Sequence, residues 1–162
     1  MLLWTADLKD ILYFKVMNEY VRDKRSPIPK NAAVSKIMSA NRAVNSKPEI
    51  KFRKELWQKG LRGYRLHYKN IPGRPDIVFV SKKLAVFING CYWHRCPDCN
   101  YPIPNNNTLF WENKFNNNVI RDKEKIKQLK KLGWNVITIW ECQINKEINK
   151  YVEKIAKLYY EI

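Results

Sequence analysis

Four cysteines, one aspartate and one histidine are the residues of this chain best suited to chemistry. Cys91, Cys96 and Cys99 lie within nine residues of one another, and Cys142 follows much later. Thiolates are soft ligands, and four of them satisfy the tetrahedral preference of zinc. Cys96-Pro97-Asp98-Cys99 has the C-x-x-C spacing of a metal knuckle. Four protein ligands leave no open position, so a zinc ion held this way would be structural. The competing explanation is a set of buried free thiols, and the clustering of three cysteines in one loop favours the metal.

Asp76 ends the run Pro72-Gly73-Arg74-Pro75-Asp76, just before an apolar segment Ile77–Val80 that reads as a strand. A carboxylate at the mouth of a strand, beside a second strand, can hold Mg²⁺ against a phosphate. Pro-Asp is also ordinary turn chemistry, so this pattern alone is weak. The next strand, Leu84–Asn89, carries no Glu-x-Lys pair to complete a common nuclease site. Backbone carbonyls and waters can fill such a gap. His94, on the cysteine loop, has the right intrinsic pKa to take a proton from an attacking water. Its plainer alternative is a lone surface histidine.

The whole-chain charge points the same way. Of 162 residues, 31 are Lys or Arg against 15 Asp or Glu, a formal net charge of +16. Such a surface releases counterions from a polyanion, so nucleic acid is the first partner to expect and an acidic membrane surface the second. A lysine-rich proteome would give the same excess without meaning it. Hydrophobic residues make up 45%, enough for a buried core, and the length suits one domain. No apolar run approaches a membrane span, and Asp7, Lys9 and Asp10 interrupt any signal-like stretch. A cytoplasmic location is expected, where a disulfide would be unusual.

Those residues must be positioned by the elements around them. Leu8, Ile11, Leu12, Met17, Tyr20 and Val21 predict an amphipathic helix over 8–21, followed by a basic, proline-broken linker over 22–33. Pro48 near a start and Gly60 past an end bracket a second helix carrying Ile50, Leu56 and Trp57. Strands are expected at Tyr64–Tyr68, Ile77–Val80 and Leu84–Asn89, and a loop from Cys91 to Thr108. Thr108 is a candidate cap for a long polar helix reaching about Leu132, stopped by Gly133. Asn135–Trp140 reads as a strand buried on both faces, and a last helix over about 145–160 aligns Ile148, Val152, Ile155 and Tyr159. The order predicts an α/β fold with a mixed sheet flanked by helices.

Several segments occur together in one order: Gly73-Arg74-Pro75-Asp76, then Val86 to His94 with Gly90-Cys91-Tyr92-Trp93-His94, then Phe110-Trp111-Glu112-Asn113-Lys114, Leu132-Gly133-Trp134 and Trp140-Glu141-Cys142. This set resembles the very-short-patch-repair (Vsr) endonuclease family over about residues 35–145. The resemblance implies a restriction-endonuclease-like fold, double-stranded DNA as partner, and nicking beside a T·G mismatch with Mg²⁺ and a structural Zn²⁺. It makes Asp76 the metal-binding carboxylate, the Ile88 carbonyl its backbone partner and His94 the general base. Glu49, at a helix start, matches an acidic residue that supports the metal's water shell or His94. Cys91, Cys96, Cys99 and Cys142 match the zinc positions, where one ligand can be histidine in relatives. Tyr92, Trp93 and Trp111 match aromatics that wedge between bases, although aromatics at element edges are usually core.

Arg121 and Lys123 are the preferred phosphate contacts on the long helix, whose charge run otherwise suits a solvated face. Asn89 stands where some relatives carry a histidine, so any second-histidine role is absent or passes to His67. Residues 1–31 form an extension without a clear family counterpart, and 32–162 the endonuclease-like domain. Two other readings stay open: a related restriction or homing-type nuclease cutting matched DNA, and a catalytically idle zinc-containing DNA-binding module. A single copy of the chain is the simplest acting unit. The sequence leaves the oligomeric state, the recognition site and the number of strands cut undecided.

Overall fold

The structure, a computed structural model, describes residues 26–161. The helix expected over 8–21 therefore lies outside the described residues, as does most of the basic linker. The chain divides into two units. Among the described residues, one comprises 26–41 and 103–114, and the other 42–102 and 115–161. The smaller unit contains α1, Ala32–Ala40, whose start is capped by the Asn31 side chain accepting from Val34 N at 2.9 Å. Sequence reading did not place this helix, although Val34, Ile37 and Met38 have helical spacing; it buries no residue.

In the larger unit, α2 spans Lys47–Gln58 and opens with a Ser46-Lys47-Pro48-Glu49 capping box. Its buried face is Glu49, Phe52 and Leu56, spaced three and four residues apart. Ile50 and Trp57 lie on the same helix but are exposed. The Arg62 guanidinium covers the Trp57 ring at 3.5 Å, a contact that needs no core position.

Four strands follow: β1 Arg65–Leu66, β2 Ile77–Phe79, β3 Leu84–Asn89 and β4 Asn135–Trp140, arranged in that order. β1–β2 and β2–β3 pair antiparallel, whereas β3–β4 pair parallel. A parallel partner needs a long crossover, here the cysteine loop and α3, Thr108–Lys131. The unit boundary falls within α3 after Lys114. Thr108 is the first residue of that helix, and its hydroxyl donates to the carbonyls of Pro104 and Asn105. α4, Glu141–Glu161, follows β4 directly and kinks at Glu147.

Ile77, Phe79, Leu84, Val86, Ile88, Ile137 and Ile139 share one core with Phe52 and Leu56 of α2 and Ile144, Val152, Ile155 and Ala156 of α4. Ile148 and Tyr159, expected on the stripe, pack against this core while partly exposed. Val78 and Ala85 are buried on the opposite face, so β2 and β3 are covered on both sides. β4 is not. Only Ile137 and Ile139 are buried in it, because it lies at the sheet edge and presents one face to the core. No helix among the described residues is long and apolar enough to cross a membrane.

Candidate active site

The sheet's register assembles the site. β1 and β2 pair Leu66 with Ile77, so the next step outward sets His67 opposite Asp76, and His67 N donates to Asp76 O at 3.2 Å. β2 and β3 pair Ile77 with Val86, which carries Ile88 past the start of β2 and up to the Asp76 side chain. Ile88 N donates to Asp76 Oδ2 at 2.7 Å. In a strand the N–H and C=O of one residue point to the same side, so the Ile88 carbonyl also faces this end of β2.

Burial pushes the Asp76 carboxyl up to about 6, with the Ile88 N–H opposing and the nearby Glu49 charge adding. A carboxylate held so far above its ordinary value is one whose charge the protein leaves poorly compensated. A cation would compensate it. Glu49, 5% exposed, accepts from Asn45 N and from both the N and Oγ of Ser46. Its helix-capping role alone therefore accounts for its place in the sequence. Its position adds something more, since Glu49, His67 and Asp76 offer three ligand atoms within 4.8 Å of one another. Burial, followed by the opposing pull of Glu49 and the push of Arg74 and Arg53, leaves His67 below the usual histidine range. It is thus neutral near pH 7.

Gly73, three residues before Asp76, sits at φ +80. A Cβ there would come within 3.0 Å of both the Lys125 stem and the Phe87 ring. Glycine is required on both counts, because no other residue lets the turn pass so close beneath α3.

His94 leaves the cysteine loop toward α3, where its Nδ1 lies 2.5 Å from Asp122 Oδ2. Asp122 is a residue that sequence reading missed, taking it for one of the charges on a solvated helix face. The only signal was its place in a helix that must pack somewhere. An acceptor on Nδ1 fixes the tautomer with the proton there and leaves the Nε2 lone pair available as a base. His94 also lies near enough to Asp76 for its charge to lower the Asp76 pKa.

The four cysteines come together. One sulfur from each lies within 4.8 Å of the others, and the Cys96 and Cys142 sulfurs are 3.8 Å apart. That is far beyond a disulfide bond. It matches the edge of a tetrahedron around an ion with thiolates at about 2.3 Å, which is about 3.8 Å. Parallel pairing explains the convergence. Asn89 sits beside Trp140 at the strand ends, so Cys91 and Cys142, each two residues further, emerge side by side. Cys142 N donates to Cys91 Sγ at 3.3 Å. Burial raises the Cys91 thiol well above its ordinary value, so holding it as a thiolate would take a cation.

Tyr92 and Trp93 are half-buried, with ring centroids 5.1 Å apart and edge to face. Tyr92 also packs against Phe115 at 5.2 Å, and Asn118 Nδ2 donates to the Trp93 carbonyl at 3.1 Å. Trp111 falls in the smaller unit and is 8% exposed. Arg121 and Lys123 are exposed on α3.

A family model, "DNA mismatch endonuclease Vsr", matches residues 27–101. The type II nicking enzyme V.NmeAIP of Neisseria meningitidis serogroup A is 42% identical, over 72% of this chain and 82% of that protein. The type II nicking enzyme V.NaeI of Lentzea aerocolonigenes is 41% identical, over 71% of each chain. The chain belongs to the Vsr endonuclease family. The DNA mismatch endonuclease Vsr of Escherichia coli is 37% identical, over 50% of this chain and 52% of that protein. As a member of the Vsr family, the protein is a DNA endonuclease, and its excess of basic residues has a polyanionic substrate to meet. The family match ends at residue 101, so it covers Glu49, Asp76, His94 and three of the cysteines. Cys142 lies beyond that match, in the Trp140-Glu141-Cys142 motif, and Asp122 joins them only through the fold.

Proposed function

We propose that this Vsr-family protein nicks DNA beside a T·G mismatch, with Mg²⁺ at Asp76 and the Ile88 carbonyl and a structural Zn²⁺ at Cys91, Cys96, Cys99 and Cys142. The observation that carries the reading is the His94–Asp122 couple beside a half-buried, poorly compensated Asp76. Mg²⁺ would supply positive charge against the phosphate oxygens as the transition state forms. His94 Nε2 takes the proton from the attacking water, and Asp122 stabilises the imidazolium that results. The water oxygen bonds to phosphorus while the bond to the leaving sugar oxygen breaks. Glu49 holds its charge next to this centre from a rigid, capped helix start. Arg121 and Lys123 reach backbone phosphates.

His94→Ala should lower the single-turnover rate by roughly 10²–10⁴-fold with affinity for DNA unchanged, the ordinary worth of a general base. Asp122→Asn should lower it by a smaller factor, because it disturbs the tautomer and leaves the base in place. Poor binding with normal cleavage once bound would make His94 a positioning residue instead.

Trp93 stands on the cysteine loop beside His94 and is half-buried, so it is the aromatic whose wedge role is most directly tested next to the catalytic base. Unstacking a step costs a few kcal/mol, less where pairing is already weakened by a mismatch. Trp93→Ala is therefore expected to slow cleavage of T·G-containing duplex by roughly 10- to 100-fold, the worth of one base–aromatic stack. Salt-dependent nonspecific binding should hardly change. The deciding comparison is the cleavage rate on two duplexes differing by a single T·G pair. Equal rates would replace mismatch repair by cleavage of matched DNA with the same catalytic residues.

A further inference from the structure

We propose that Glu49, His67 and Asp76 form a cation pocket in which a ring nitrogen of His67 is itself a ligand, so that the pocket favours a first-row transition-metal ion over Mg²⁺ and Ca²⁺. The inference rests on the reading of Asp76 as a metal carboxylate and adds a ligand to it. Three observations meet at one place. His67 Nε2 is buried and has no hydrogen-bond partner among the described residues. It lies 3.6 Å from Glu49 Oε2, and His67 Nδ1 lies 3.7 Å from Asp76 Oδ1. The oxygens that face the ring are also the ones with capacity to spare. Asp76 Oδ2 is taken by Ile88 N, which leaves Oδ1. Glu49 Oε1 accepts twice from Ser46, and Oε2 only once, from Asn45 N.

Direct hydrogen bonding does not explain this arrangement, because both separations exceed hydrogen-bond reach. One ion can take only one of the two ring nitrogens, and one ligand atom from each of the three residues lies within 4.8 Å of the others. Donors that share an ion at about 2.1 Å stand roughly 3.0–3.5 Å apart, so the three side chains would draw inward to close on it. Leaving a buried ring nitrogen unsatisfied is costly, and an ion would remove that cost. The backbone also holds the ring in place. His67 adopts φ +46, an unusual conformation for a residue with a side chain. It is secured by His67 N to Asp76 O and by Arg74 Nε donating to the His67 carbonyl at 3.2 Å. Strain kept at such a point commonly serves a site. Hard Mg²⁺ and Ca²⁺ take oxygen ligands, whereas imidazole suits transition metals, so the nitrogen sets the preference.

The test uses the zinc-loaded protein and Mn²⁺ as the probe. Titration followed by the signal of free Mn²⁺ should give binding at least about tenfold tighter than Mg²⁺ in competition. Pulsed electron paramagnetic resonance of bound Mn²⁺ should show coupling to an imidazole ¹⁴N. His67→Asn, chosen because asparagine tolerates left-handed backbone, should lose that coupling and weaken Mn²⁺ at least about tenfold while changing Mg²⁺ far less. The coupling should persist in His94→Ala. Bound Mn²⁺ without nitrogen coupling in the unaltered protein would overturn the proposal, as would coupling that survives His67→Asn. In either case Mg²⁺-dependent cleavage lost with Asp76→Asn would leave the proposed function standing. No Mn²⁺ or Mg²⁺ binding at all would overturn both.

Discussion

Replacing Asp76 by asparagine is expected to abolish cleavage and, at the same time, to stabilise the fold. The first effect follows from losing the carboxylate that anchors the cation, an interaction worth several kcal/mol and hence roughly 10³-fold or more in rate. DNA binding should persist or tighten, because a negative charge beside the phosphate is gone. The second effect comes from burial. The folded protein holds the Asp76 carboxyl at about 6 against an ordinary 3.8. A folded pKa above the unfolded one means that the folded state binds the proton more tightly. Stability is therefore undiminished below pH 4, falls as pH rises from about 4 to 6, and stays lower by up to about 3 kcal/mol above that. Asparagine keeps an acceptor for Ile88 N and carries no charge to bury. In magnesium-free buffer at pH 7–8 the variant should melt several degrees higher, and below pH 4 the difference should vanish. Full activity in Mg²⁺ would end the role of this residue. A variant that melts lower at pH 8 would show that the Asp76 charge is well compensated in the fold.

Loss of the zinc proposed for the cysteine cluster should have the largest effect on stability. Purified protein is expected to carry one zinc ion per chain, and Cys142→Ser to lose it. Structural zinc contributes on the order of 10 kcal/mol in small domains, comparable to the whole stability of a typical fold. The loss should also remove activity, because the cluster ties the loop bearing His94 to the ends of β3 and β4. His94 N donates to Gly90 O and Cys96 N to Cys91 O, so the backbone around the base is pinned directly beside the sulfurs. Metal analysis of native protein and thermal melting of the variant make the check. No zinc, together with four thiols that titrate freely in the native state, would leave the cysteines as simple core residues.

Much of the frame was legible because its causes are local. β3 and β4 have the bounds read from their apolar runs, and α2 starts where Ser46 and Glu49 can cap it. Asp76, His94 and the four cysteines were recognisable from residue type and motif. Asp122, by contrast, looked like one more charge on a basic helix. Its role depends on how α3 lies against the cysteine loop, and helical periodicity carries no information about that. His67 entered only as a possible stand-in for a second histidine, since a histidine directly after a two-residue strand has no motif around it. The exposure of Trp57 was illegible for a similar reason. An apolar residue on a helix can be covered by a cation as well as by a core.

The sequence by itself determined the chemistry available to this protein: a polyanion-seeking surface, four thiolates, a strand-mouth carboxylate and a histidine on a stiffened loop. These follow from side-chain type and from interactions between near neighbours, which a linear reading can see. Only the tertiary structure decided which groups act together. The antiparallel register sets His67 opposite Asp76 and brings Ile88 to its carboxylate. The parallel register makes neighbours of Cys91 and Cys142, 51 residues apart, and packing delivers Asp122 to His94 across 28. Register and packing are chosen by burying Ile77, Val86, Ile137 and their neighbours in one core. That choice is a property of the whole chain and cannot be read from any one segment of it.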